Sequence, residues 1–100
     1  MIKVIIERTV AEGLEIHYEK AISELLNVMT SAPGYISGES LVDAAHSNHY
    51  VVIARWSAEG AWTKWFHSED RKRVLTAIAP FLQIDEKCTV LKQLAYHKYS

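Results

Sequence analysis

The sequence predicts an α+β domain with the element order β-α-β-β-α-β. This is the ferredoxin-like arrangement, a four-stranded antiparallel sheet carrying its helices on one face. Three observations point to it. Residues 2–10 and 50–56 are rich in β-branched and aromatic side chains, apolar residues between 14 and 29 recur at spacings of three and four, and only the polar stretch HSNH at 46–49 separates the second and third strand-like segments. The 100 residues are expected to form one domain over 1–95, with a short tail at 96–100.

The first strand reads from 2 to 10 and stops before Glu12-Gly13. Leu14, Tyr18, Ala21, Ile22, Leu25 and Met29 then form one face of an amphipathic helix, which Pro33-Gly34 ends. A second strand is expected over about 35–44, with Gly38 weakening it or marking a bulge. The stretch YVVIARW at 50–56 is the clearest strand, and its short connection to the second makes an antiparallel hairpin. Ser57 and Ser68 are both placed to cap helices, each followed by acidic residues, so the helical region 58–82 should bend or restart near His67. Pro80 is a plausible terminator, and residues 87–95 read as the fourth strand.

An antiparallel sheet with one wet face should alternate cleanly between apolar and polar side chains. Here Val51 and Ile53 point to one face while Tyr50, Val52, Ala54 and Trp56 point to the other, and Ile5 opposes Ile2, Val4 and Ile6. The second face is therefore expected to be covered by another copy of the chain, as a homodimer packed sheet to sheet. A hydrophobic content of 49% in so short a chain agrees with a partner surface.

A net charge of −1 and the lack of a basic stripe argue against a nucleic-acid partner, since the run RKR at 71–73 follows Glu69 and Asp70 and reads as a solvated helix face. No apolar run approaches the length needed to cross a bilayer, and the charged start MIKVIIERTV lacks a signal-peptide core. The expectation is a cytoplasmic protein without membrane contact. The single cysteine, Cys88, sits in a strand pattern and reads as a small buried hydrophobe.

All three tryptophans, Trp56, Trp62 and Trp65, fall in RWSAEGAWTKW at 55–65. Trp62 and Trp65 are three apart on a helix and share a face, where they serve either as core or as the wall of a pocket for something flat and aromatic. The segments APGYISGESL after the first helix and ARWSAEGAWTKWFHS at the end of the third strand make the chain resemble the antibiotic biosynthesis monooxygenase domain family. The resemblance covers about residues 1–94 and implies a dimeric α+β barrel. It also implies activities: some members oxidise polycyclic phenols to quinones with molecular oxygen and no metal or flavin, and others degrade haem.

The resemblance to haem-degrading members is partial. Trp65 matches their helix tryptophan, but Glu7 stands in place of a strand asparagine and Leu75 in place of the iron-binding histidine. In quinone-forming members a polar amide often precedes the tryptophan by one helical turn, where this chain has Ala61. The resemblance thus implies a cofactor-independent monooxygenase with molecular oxygen as co-substrate, acting on a small hydroxylated aromatic or quinol. Trp65 would be the wall, Trp62, Phe66 and Tyr18 further substrate contacts, and Glu7 or His17 the proton acceptor. Glu7 has an alternative role as an ion-pair partner of Arg55 on the neighbouring strand. A binding or sensing module that keeps the pocket without the chemistry is the second reading, favoured by Ala61. Haem binding through His17 or His67 is the third. His46 and His49 lie three apart in the hairpin turn with no third ligand evident for a metal, and His97 is in the tail.

Overall fold

A computed structural model describes residues 1–98, so the last two residues of the expected tail lie outside the described residues. The elements are β1 (Ile2–Thr9), α1 (Glu15–Thr30), β2 (Tyr35–Val42), β3 (His49–Trp56), α2 (Glu59–Phe66), α3 (Glu69–Ile78), a 3-10 turn (Ala79–Phe81) and β4 (Lys87–Lys92). The strands form one antiparallel sheet in the order β2-β3-β1-β4. The ferredoxin-like class stands, with the second helical region split into α2 and α3. The split falls at His67, where Ser68 Oγ accepts the backbone N–H of Arg71 at 3.1 Å and starts a new helix.

Ser57 does not cap α2. Ala58 occupies the cap position with no side-chain hydrogen bond, and the Ser57 N–H instead donates to the Gly34 carbonyl at 2.8 Å. That bond ties the start of α2 to the turn leaving α1. Gly34 has φ +88°, and a Cβ there would lie 2.4 Å from Ala61 Cβ, so the close approach of turn and helix depends on glycine. Gly38 is not the bulge either. The register slips between Tyr35 and Ser37, and Gly38 is small because the Tyr35 hydroxyl lies over it, 2.6 Å from where a Cβ would be. β2 and β4 stop at Val42 and Lys92, short of the ends the sequence pattern suggested. Past Lys92 the strand loses its β1 partner, because Ile2 is already paired there.

The burial pattern of β1 and β3 settles which face meets the helices. Ile2, Val4, Ile6 and Arg8 point inward with Tyr50, Val52, Ala54 and Trp56. Trp56 is fully buried at the centre, with Trp62 edge-on at 5.6 Å, Trp65 stacked at 6.4 Å and Tyr35 edge-on at 5.5 Å. Its indole N–H is buried without a partner among the described residues. The three tryptophans are therefore foremost the junction of α2 with the sheet. On the outer face Ile5 lies opposite Ile53, both half-buried, with Val51 nearby and Leu41 and Leu91 on the flanking strands.

Candidate functional site

The inward face of α1 lies over β1 and β3, and between α1 and the sheet a cleft runs inward in two chambers. The outer chamber, about 340 Å³, is walled by Tyr18, Glu19, Val42 and Tyr50. The inner one, about 40 Å³, ends on Trp62, Trp65, Arg8, Arg71 and Glu86. Ile22, Leu26, Ser40 and Val52 border both, so the chambers adjoin. The volumes assign different tasks. The inner chamber has about an eighth of the outer chamber's room and suits a small polar group or water. The outer chamber lies in the range of small-molecule sites, about 300–1,000 Å³.

Three charged side chains meet at the inner end. Arg8 Nε donates to Glu86 Oε2 at 2.8 Å, and Arg71 Nη2 donates to Glu86 Oε1 at 2.8 Å. Strand parity explains the first pair: Glu7 faces Lys87 in the β1–β4 ladder, so Arg8 and Glu86 follow on the inner side. Arg8 Nη1 also donates to the Tyr18 hydroxyl at 3.1 Å. Burial disfavours the Arg8 charge, yet Tyr18 and Glu86 outweigh it and raise the guanidinium pKa. Arg71 is held from its other side by the Phe66 carbonyl at 3.3 Å and lies 4.0 Å over the Phe66 ring. At the mouth the Tyr50 hydroxyl donates to Glu19 Oε2 at 2.6 Å, and burial together with that carboxylate pushes the phenol pKa up.

The structure distributes the residues named from sequence unevenly. Trp62 and Trp65 are 4% and 6% exposed and reach only the inner chamber of the cleft, while Tyr18 borders the outer one and packs at a tilt on Tyr50, ring centres 4.6 Å apart. Phe66 supports Arg71 and packs on Trp62 at 5.8 Å rather than lining either chamber. Glu7 lies on the opposite face of the sheet, against Lys87 at 4.0 Å, because its parity is that of Ile5 and not of Ile6. The expected Glu7–Arg55 pair is absent among the described residues: Arg55 sits across from Lys3, and its Nε is buried without a partner. His17 is exposed on α1 and stacks on Phe81 at 6.1 Å, outside the cleft.

No described histidine lines either chamber, and Leu75 occupies the inner wall, so the donor set does not fit a haem iron. Asp43 is the third ligand type missing from the sequence reading of His46 and His49. One ligand atom from each of the three lies within 4.8 Å of the others. The Asp43 carboxylate accepts the amides of Ala45 at 2.7 Å and His46 at 3.2 Å, and these bonds build the turn. Cys88 donates to Glu86 at 3.4 Å, and burial with the nearby carboxylate pushes its thiol pKa up to about 11, which suits a packed thiol and not a nucleophile.

Sequence reasoning missed Arg8, Arg71 and Glu86. The signal for Arg8 was present, since it shares the period-two face of Ile2, Val4 and Ile6. Arg71 read as part of a solvated basic run, and Glu86 precedes its strand.

No helix is long and apolar enough to cross a membrane among the described residues. No curated protein sequence matches the chain. Solved structures with the same fold are many. One of an antibiotic biosynthesis monooxygenase is 19% identical, covers 95% of this chain and 100% of its own, and superposes with a TM-score of 0.83. SnoaB, a cofactor-independent oxygenase from Streptomyces nogalater, is 16% identical over 95% of each chain with a TM-score of 0.80. A conserved protein from Methanosarcina mazei is 13% identical, covers 92% of this chain and 91% of its own, and gives 0.82. These likenesses establish the fold. The profile of the antibiotic biosynthesis monooxygenase family matches residues 1–77, and the chain belongs to that family.

Proposed function

We propose that this chain is a cofactor-independent monooxygenase that oxidises a small, flat, hydroxylated aromatic or quinol with molecular oxygen. The observation that carries the reading is the two-chamber cleft, aromatic at its mouth and cationic at its inner end, in a chain of this family. The similarity to SnoaB, an oxygenase that needs no cofactor, supports it.

The chemistry follows from what the cleft presents. Glu19 is the carboxylate at the outer chamber, and it takes the hydroxyl proton of the substrate. The resulting electron-rich anion is stabilised by the field of Arg8 and Arg71 and gives an electron to oxygen. The two radicals couple at a ring carbon, and the peroxide takes back the proton. Water then leaves as the O–O bond and the C–H bond break. One oxygen atom stays as the quinone carbonyl, and the other departs in the water. Each turnover consumes one oxygen molecule.

The active form in this reading is a homodimer packed through the outer sheet faces. The apolar centre at Ile5 and Ile53, bordered by Lys3, Glu7, Glu39, Arg55 and Lys87, has the layout of an interface with a polar rim. A binding or sensing module remains the second reading, favoured by the position of Glu7 and His17 outside the cleft. An oxygen electrode with 1-naphthol or anthrone separates the two. Uptake equimolar with quinone formed, and reduced at least tenfold in Glu19→Gln, supports the enzyme. Saturable binding without uptake supports the module.

A further inference from the structure

We infer that the ligand of this cleft is an aromatic carboxylate, its acid group seated in the inner chamber against Arg8 and Arg71 and its ring system in the outer one. The inference rests on the reading of the cleft as the substrate site and adds the class of substrate.

Charge is the first argument. Two guanidiniums share one carboxylate, and the side chains of Arg8, Glu86 and Arg71 are only 9%, 6% and 15% exposed. The inner end therefore carries one more positive than negative charge in a place shielded from water. Glu19, the other carboxylate bordering the cleft, is exposed at the mouth and engaged by Tyr50. A buried surplus charge is unfavourable until something compensates it. An incoming anion does so.

Geometry is the second. Glu86 takes one arginine on each oxygen, so the two guanidiniums are held apart and not stacked. Tyr18 fixes Arg8, and the Phe66 carbonyl and ring fix Arg71. Arg8 Nη2 makes no hydrogen bond among the described residues, and both guanidiniums border the inner chamber. These donors are positioned before the ligand arrives, which limits the ordering cost of binding.

Size is the third. The inner chamber, about 40 Å³, is far smaller than the adjoining 340 Å³, so the small acid group suits the first and a two-ring system the second. The acid group goes inward and the ring stays in the outer chamber, against Tyr18 and Tyr50.

The test is calorimetric titration at pH 7 with 6-hydroxy-2-naphthoic acid and with its methyl ester. The expected result is that the acid binds at least tenfold more tightly. In Arg71→Gln, which leaves a neutral Arg8–Glu86 pair, the acid should fall to the affinity of the ester, while ester binding changes less than twofold. Glu86→Gln doubles the surplus charge and should widen the preference for the acid, a change of opposite sign that loss of folding cannot imitate. Equal binding of acid and ester overturns the inference while leaving an aromatic cleft in place. So does a preference that survives Arg71→Gln. If neither compound binds, the reading of the cleft fails, and the inference fails with it.

Discussion

Gly34→Ala is expected to destabilise the protein by more than its backbone conformation explains, and Gly13→Ala provides the comparison. Both glycines have φ near +90°, at +88° and +92°. An alanine in this region costs about 1–2 kcal/mol, partly offset by roughly 0.4–1 kcal/mol from stiffening the unfolded chain. At Gly13 nothing lies within 4 Å of the new methyl group, so the net loss should be about 1 kcal/mol. At Gly34 the methyl would lie 2.4 Å from Ala61 Cβ and 2.9 Å from Ser57 Oγ. Ser57 Oγ can rotate aside, but Ala61 Cβ is fixed to the helix backbone, so α2 must move away from the turn. Overpacking of this kind adds roughly 1–3 kcal/mol, giving a total of about 2–4 kcal/mol. Urea unfolding followed by tryptophan fluorescence measures both variants with the same probe. Because α2 carries Trp62 and Trp65, Gly34→Ala should also alter the native emission, and Gly13→Ala should not. Equal midpoints for the two variants would refute the packing argument and leave only backbone strain.

Three further outcomes are expected. Ser68→Ala removes the cap of α3 and should lower stability by about 1 kcal/mol in thermal unfolding, while loosening Arg71, whose amide the serine holds. Ile53→Asp places a charge at the centre of the outer sheet face and should convert a dimer to a monomer in light scattering at 10 µM, a concentration on the order of those used for weak assemblies; a wild-type monomer would remove the sheet-to-sheet assembly. Cys88 should react slowly with iodoacetamide at pH 8, with the rate climbing as the pH approaches about 11. The same raised pKa makes the folded protein hold the thiol proton more tightly than the unfolded chain. Its contribution is complete below the ordinary value of 9.0 and is lost as the pH rises through about 11. The part of the stability loss between those pH values that Cys88 causes should therefore be missing in Cys88→Ser, measured by urea unfolding at pH 8 and pH 11.

Much of the fold was legible because its signals are local. The period of two in β1 and β3, the spacing of three and four in α1 and the turn at Pro33-Gly34 each depend on a few neighbouring residues. Ser68 was recognisable as a cap for the same reason, since it bonds an amide three residues on. Ser57 has similar sequence surroundings but is drawn to Gly34, a contact 23 positions distant that no local pattern encodes. The aromatic cluster was visible as a cluster, but its role was not. Trp62 and Trp65 face Trp56, and that packing leaves them little of the cleft.

The sequence by itself determined the elements, their order, the family and the existence of two apolar sheet faces, because alternation and helical periodicity are properties of adjacent residues. Only the tertiary structure decided which of those faces the helices cover. That choice places Arg8 inside and Glu7 outside, and it moves the candidate chemistry from Glu7 and His17 to Arg8, Arg71, Glu86 and Glu19. Arg8, Arg71 and Glu86 come from β1, α3 and the approach to β4, and they meet because the β1–β4 ladder and the packing of α3 bring distant segments together. A charge network assembled across 78 positions of chain has no local signature, and the physical reason is that burial, not sequence separation, makes those charges seek each other.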